Sequence, residues 1–226
     1  MKDFQREFIQ FALDHEVLRF GAFTLKSGRT SPYFFNLGQF QTGKALAQLG
    51  SFYARAYQAL LAEEEAAAAS PAAPRVLFGP AYKGIPIVSA MAVSLADRHD
   101  IDAPWAFNRK EKKDHGEGGQ LVGAPVAGRR VLIVDDVITA GTAINESMVL
   151  LRAAQAEVTD VLIALDRQER ASETDPLSAI QKVEQTHGVR VHTIITLAHV
   201  MAYLEEKGET AILETMRPYQ AKYGIF

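Results

Sequence analysis

No cysteine occurs anywhere in the 226 residues. That excludes disulfides and thiolate metal sites, and it fits a reducing compartment. Long hydrophobic runs are missing too. No stretch of about 18 apolar residues exists, so no membrane span is expected. The opening residues, Met1-Lys2-Asp3-Phe4-Gln5-Arg6-Glu7, lack the apolar segment of a signal peptide. Charge of one sign is also scarce: 24 Lys and Arg stand against 27 Asp and Glu, a net charge of −3. Such a chain has no whole-molecule attraction for nucleic acid, so any basic site must be local. No nucleic-acid partner and no membrane partner are expected, and the default is a soluble cytoplasmic protein. Internal repeats are absent.

What is present suits one good-sized core: 48% hydrophobic residues, an ordinary share for a globular protein. Residues 3–19 read as an amphipathic helix, with Asp3 as a candidate cap and Gly21 as a candidate stop. Residues 22–37 read as two short strands around a Ser27-Gly28-Arg29 turn. Thr42 is placed to cap a second helix reaching about residue 61. Then comes a Glu/Ala/Pro stretch at 62–74. Its alanines can prolong the helix until Pro71 and Pro74 stop it. It reads as a surface elaboration. From residue 75 onward strands alternate with helices: strands at 76–78, 105–107, 131–134, 158–165 and 189–192, helices at 85–98 and 142–154. This alternation predicts an α/β fold with a parallel sheet covered by helices and a ligand at the carboxyl ends of its strands.

The most informative segment follows the apolar run 131–134. It is Asp135-Asp136-Val137-Ile138-Thr139-Ala140-Gly141-Thr142-Ala143. Two carboxylates stand at the end of a central strand, and a small-residue turn feeds a helix N-terminus. That turn can aim several backbone N–H groups at one anion, with help from the helix dipole. Thr139 and Thr142 add hydroxyls, and Gly141 lets a phosphate approach the backbone. The acids suit hydroxyl donors next to that phosphate. One Asp at a strand end often only caps a turn; two, followed by this turn, describe a site for a sugar phosphate.

Three further segments are weighed beside it. Ala81-Tyr82-Lys83-Gly84 follows the strand at 76–78, which can neighbour the strand at 131–134, so that this turn can face the acid pair; Lys83 is a point charge for phosphate, or simply an exposed lysine on a connection. Residues 109–119 hold four cations, one histidine and three glycines. Most such runs are solvated loops; a mobile basic loop can also close over a polyphosphate and exclude water. Residues 23–36 combine aromatic faces with nearby amides, which suit a flat heterocycle, although such clusters are more often core. His15, His99, His187, His192 and His199 lack ligand spacing and receive no role. Trp105 is expected to pack the sheet.

The segment Val131–Ala143 resembles the phosphoribosyl diphosphate (PRPP) signature of type I phosphoribosyltransferases. Residues 23–36, 109–119 and Ala164-Leu165-Asp166-Arg167-Gln168-Glu169-Arg170 narrow the resemblance to the orotate-using family of the bacterial and fungal sort. It runs from about residue 3 to the C-terminus. It implies one domain over 1–226, a type I phosphoribosyltransferase fold with a mostly parallel central sheet, and a small N-terminal hood from about 1–40. It implies Mg²⁺-dependent transfer of ribose 5-phosphate from PRPP to orotate, giving orotidine 5′-monophosphate and pyrophosphate on the way to UMP.

The same resemblance implies residue roles. Val137, Ile138, Thr139, Ala140, Gly141, Thr142 and Ala143 would hold the 5′-phosphate turn. Asp135 and Asp136 would approach the ribose hydroxyls near Mg²⁺, which is held mainly through PRPP. Tyr82 and Lys83 would contact pyrophosphate, across an Ala81–Tyr82 peptide that is strained or cis. Arg109, Lys110, Lys113 and His115 would close over it, and Lys26 would touch PRPP. Phe34, Phe35, Thr139 and Arg167 would hold orotate. Lys113, His115, Asp135 and Asp136 are the catalytic candidates. A homodimer is implied, with loop 109–119 reaching the neighbouring site. Two rivals share the PRPP chemistry: an enzyme for another base, and a non-enzymatic PRPP-sensing regulator.

One segment imitates a different chemistry. Gly38-Gln39-Phe40-Gln41-Thr42-Gly43-Lys44-Ala45 nearly matches a Walker A loop, but Ala45 has no hydroxyl for Mg²⁺ and no long apolar strand precedes it. Lys44→Ala should therefore leave turnover nearly intact in a steady-state assay; a phosphate-binding loop there would lose activity altogether.

Overall fold

The computed structural model describes residues 1–25, 28–67, 75–113, 119–170 and 175–225. The chain begins with α1 (Asp3–Asp14), then β1 (Leu18–Thr24) and β2 (Thr30–Phe35). α2 (Gly43–Ala67), β3 (Val76–Gly79), α3 (Gly84–His99), β4 (Trp105–Lys113), β5 (Gly119–Gly123) and β6 (Arg130–Val134) follow. The remainder is α4 (Thr142–Ala153), β7 (Glu157–Asp166), α5 (Ala179–His187), β8 (Arg190–Thr196), α6 (Leu197–Glu206) and α7 (Thr210–Tyr223).

A six-stranded sheet runs in the order β5-β4-β3-β6-β7-β8. Every pairing is parallel except β4 with β5 at one edge. The middle strands are apolar on both faces, as a sheet covered on both sides requires. Leu77, Leu132 and Leu162 face one core, shared with α1, α2, α3, α6 and α7. Val76, Phe78, Val131, Ile133, Val161 and Ile163 face the other, under α4 and α5. The period of two along each strand thus divides the sheet between two helical layers. β1 and β2 form a separate antiparallel pair, the hood, against α1 and α7.

The structure shortens the first helix. α1 stops at Asp14, its N-cap is Lys2 rather than Asp3, and Glu16 turns the chain at φ 55°. Val17 and Leu18 are then free to enter the core at the start of β1, where Gly21 sits at a bulge instead of a helix end. β4 is longer than expected and carries Arg109 and Lys110 as strand rather than loop. Trp105 is 37% exposed and stacks on Phe107 at 5.8 Å, so it does not bury itself against the sheet. Residues 62–67 continue α2, and Glu64 holds Arg75 and Arg190, which ties this end of the Glu/Ala/Pro stretch to the sheet. Residues 68–74 lie outside the described residues. Residues 37–39 form a short 3-10 turn outside the main sheet, and Thr42 Oγ1 accepts from Ala45 N at 3.2 Å, so the Walker-like segment is a helix cap. Among the described residues no helix is long and apolar enough to cross a membrane.

Helix α2 lies tightly on α3. A Cβ on Gly50 would stand 2.4 Å from the Ala90 carbonyl oxygen, a backbone atom that cannot rotate away. Gly50→Ala gains roughly 1 kcal/mol of helix propensity but overpacks by about 1–3 kcal/mol. Thermal unfolding should show a lower Tm; an unchanged or raised Tm would mean that the two helices separate freely.

Candidate active site

Parallel pairing brings three strand ends together. Gly84 packs so closely that a Cβ would stand 2.9 Å from the carbonyl oxygen of Val134, the last residue of β6. The turn after β3 therefore abuts the turn after β6. Lys83 Nζ lies 2.6 Å from Asp136 Oδ2. β7 runs on beside the acids: Asp135 N donates to Leu162 O and Ala164 N donates to Asp136 O. Arg167 leaves the end of β7 next to them. The sequence allowed the strands at 76–78 and 131–134 to be neighbours, with the Lys83 turn facing the acids, and the sheet order and the Lys83–Asp136 contact bear this out.

The turn after Asp136 is built for an anion. Gly141 is the N-cap of α4 at φ 75°, and no side chain caps that helix. None of the amides of residues 139–143 donates to another described residue. Thr139, Ala140, Thr142 and Ala143 are exposed. The usual unpaired donors of a helix start are thus presented to solvent on a backbone open enough for phosphate. Ile138 is buried and anchors the turn in the core under α4.

Asp135 and Asp136 are only 6% and 8% exposed. Asp135 Oδ1 accepts from Asp136 N, Asp136 Oδ1 accepts from Val137 N, and buried Tyr53 donates to the Asp135 carbonyl at 2.8 Å. Burial pushes the Asp135 carboxyl up to about 7, and the adjacent Asp136 charge adds to it; the Asp136 N–H and Lys83 oppose the rise. Among the described residues no three carboxylates or imidazoles cluster as a metal cage. Two adjacent carboxylates beside a phosphate cradle nevertheless fit Mg²⁺ held chiefly by substrate oxygens.

A model of the "Phosphoribosyl transferase domain" matches residues 53–192. Orotate phosphoribosyltransferase of Vibrio parahaemolyticus is 57% identical over 226 residues, covering all of both chains. The chain belongs to the orotate phosphoribosyltransferase family. The Edwardsiella ictaluri member is 58% identical over the same span. The crystal structure of the Francisella tularensis orotate phosphoribosyltransferase is 40% identical, covers 96% of this chain and 99% of that one, and superposes with a TM-score of 0.83.

Within this phosphoribosyltransferase fold the expected residues fall out as follows. Tyr82 is 72% exposed, and its peptide bond to Ala81 is cis. Arg109 and Lys110 lie on β4, where Lys110 Nζ contacts Glu146 at 3.1 Å. Lys26, His115 and the side chain of Lys113 lie outside the described residues. Phe34 and Phe35 point to opposite faces of β2. The Phe35 ring is in the core, whereas Phe34 stands beside Phe23 with Arg19 5.5 Å from both rings. Two rings on opposite faces cannot both stack on one base; Phe35 can serve only through its backbone.

Sequence reasoning missed Asn108, Tyr53 and Glu169. Asn108 Oδ1 accepts from Ala81 N at 2.9 Å and so holds the turn that presents Tyr82 and Lys83. Ending β4 at residue 107 left Asn108 without a place. Burial of Asp135 has a measurable consequence. A carboxyl raised from 3.8 to about 7 penalises the folded state increasingly as pH rises between those values. Asp135→Asn keeps the acceptor and removes the charge. The variant should gain stability over the parent at pH 8, by about 2 kcal/mol more than at pH 5. Denaturant titrations at the two pH values read this difference, and equal gains would place the carboxyl in its ordinary range.

Proposed function

We propose that this chain transfers ribose 5-phosphate from PRPP to N1 of orotate, as a pentosyltransferase of pyrimidine nucleotide biosynthesis. One observation supports this above the rest: a turn of free amides, an acid pair with Lys83 upon it, and Arg167 converge at the ends of three adjacent parallel strands. Each element matches one part of the two substrates.

In this reading the amides and hydroxyls of Thr139–Ala143 bind the 5′-phosphate, and Asp135 and Asp136 accept from the ribose hydroxyls. The Lys83–Asp136 contact opens as PRPP enters, because both groups find ligand partners. Tyr82, Lys83, Arg109 and Lys110 face the diphosphate, and Lys113 and His115 add positive charge or a proton there. Lys26 touches PRPP. The C1–O bond breaks with its electron pair leaving on pyrophosphate, N1 of orotate bonds to C1, and the N1 proton is lost. No covalent nucleophile is needed, so positioning and charge stabilisation supply the rate. Asp135 and Asp136 would be the acids nearest a Mg²⁺ bound with PRPP, which would supply positive charge for the leaving group. Arg167 pairs with the orotate carboxylate, a planar fork for a planar anion. Thr139 and the backbone at Phe34 and Phe35 complete the base site. A cytoplasmic homodimer, with residues 109–119 serving the neighbouring site, is part of the same proposal.

Purified protein with PRPP, Mg²⁺ and orotate should consume orotate absorbance, while uracil, adenine and hypoxanthine are untouched. Turnover of a different base would reassign the base site; binding of PRPP without turnover of any base would make the chain a sensor. In the same assay Lys113→Ala should lower kcat by orders of magnitude, since one charge-stabilising donor is worth roughly 2.7–4 kcal/mol. Its melting curve should stay close to the parent's. Near-normal turnover by that variant removes Lys113 from the mechanism.

A further inference from the structure

The most heavily partnered side chain beside the site is one that the mechanism above leaves unused. Glu169 follows Arg167 by two residues and is only 7% exposed. Its oxygens divide their neighbours. Oε1 accepts from Tyr33 Oη at 2.7 Å and from Arg167 Nε and Nη2 at 3.3 and 3.1 Å. Oε2 accepts from Arg29 Nη2 at 2.8 Å and from Tyr219 Oη at 3.0 Å. Arg29 and Tyr33 belong to the hood and Tyr219 to α7. A single carboxylate therefore ties the hood and the last helix to the strand end that carries Arg167.

The effect on Arg167 is directional. Its guanidinium lies 4.7 Å over the Tyr33 ring. The Nε and Nη2 atoms are bound to Glu169, and Nη2 also reaches Ser31 Oγ at 3.4 Å. No hydrogen bond of Nη1 to a described residue accompanies these. A guanidinium is a rigid fork, so holding one edge fixes where the other edge points. Charge balance acts in the same sense. Two guanidiniums, Arg29 and Arg167, meet one carboxylate, which leaves one positive charge for one incoming anion.

We infer that Glu169 is a positioning residue for the base: it holds Arg167 by its Nε–Nη2 edge so that the Nη1 side meets the substrate carboxylate, and it thereby helps select an acidic base. This rests on the reading that Arg167 receives the orotate carboxylate. A buried carboxylate that only stiffened the hood would need no contact with Arg167, whereas two of the three hydrogen bonds on Oε1 come from that guanidinium.

The test is a double-mutant cycle on Glu169→Gln and Arg167→Ala, measuring KM for orotate, KM for PRPP, kcat and Tm in all four proteins. Arg167→Ala should raise KM for orotate steeply. Glu169→Gln, which keeps size and one acceptor, should raise it by about tenfold or more, as loss of a hydrogen bond to a charged group does. KM for PRPP should stay within about twofold. Glu169→Gln should add little in the Arg167→Ala background, because residues acting through one another are not additive. An unchanged or lowered KM for orotate in Glu169→Gln, with or without a lower Tm, overturns the positioning role. An unchanged KM for orotate in Arg167→Ala overturns the underlying reading of Arg167 instead. Should Glu169→Gln fail to fold, Glu169→Asp keeps the charge and withdraws it by one methylene; the same selective rise is expected, and its absence overturns the inference.

Discussion

Two adjacent carboxylates buried at the end of a central parallel strand are the constraint around which this structure is arranged. Burial and the neighbouring Asp136 charge both oppose the charge of Asp135. The fold answers with partial compensation only. Successive backbone amides satisfy one oxygen of each acid, Lys83 reaches Asp136 from the next turn, and Tyr53 holds the Asp135 carbonyl from below. On the proposed function, a ligand that brings hydroxyl donors and a divalent cation would supply the partners that the protein leaves out.

That arrangement depends on close backbone approach elsewhere. Gly79 and Gly84 let the turn after β3 fold against itself and against Val134, which is why a lysine from one turn meets an acid from another. Gly50 lets α2 press on α3 and so carries Tyr53 in under the acid pair. The base side is assembled differently. There the hood has its own two-stranded sheet, and it is side chains rather than backbone that join it to the main sheet, chiefly Arg29 and Tyr33 on Glu169. The turns after β3 and β6 thus meet through close-packed backbone, and the surroundings of Arg167 through a side-chain network between the hood and the end of β7.

The division explains what could be read from the sequence. The phosphate turn and the acid pair are contiguous, and they follow an uninterrupted apolar strand, so residues 131–143 declare themselves. Alternation of strands and helices likewise gives the parallel sheet. Strand order is not local information. Residues 76–84 allow β6 as a neighbour without fixing it, so the Lys83–Asp136 contact is decided only in three dimensions. Helical spacing carried α1 too far because Val17 and Leu18 suit either period, and the turn at Glu16 decides between them. Phe34 and Phe35 are adjacent in sequence, but consecutive residues of a strand face opposite sides. Glu169 was invisible as a hub because its partners lie at residues 29, 33, 167 and 219.

The two ends of the sheet make the functional reading sharper than either does alone. Asp160, on β7, is buried, like Asp135 just past the end of the neighbouring β6. Burial pushes both carboxyls up. Around Asp160, however, His192 lies at 2.9 Å, Arg190 at 2.9 Å and Arg75 at 3.1 Å, and these with Thr159 hold it well below the usual carboxylate range. Its charge is fully answered by the protein, as a structural ion network requires. Among the described residues no cation pairs with Asp135 directly, and Lys83, seated on Asp136, only partly offsets the rise. Two buried aspartates, one on β7 and one just past the end of β6, are thus driven in opposite directions by their neighbours. The end where the protein supplies the counter-charge is the end that holds the sheet together; the end where it withholds it is the one shaped for a ligand.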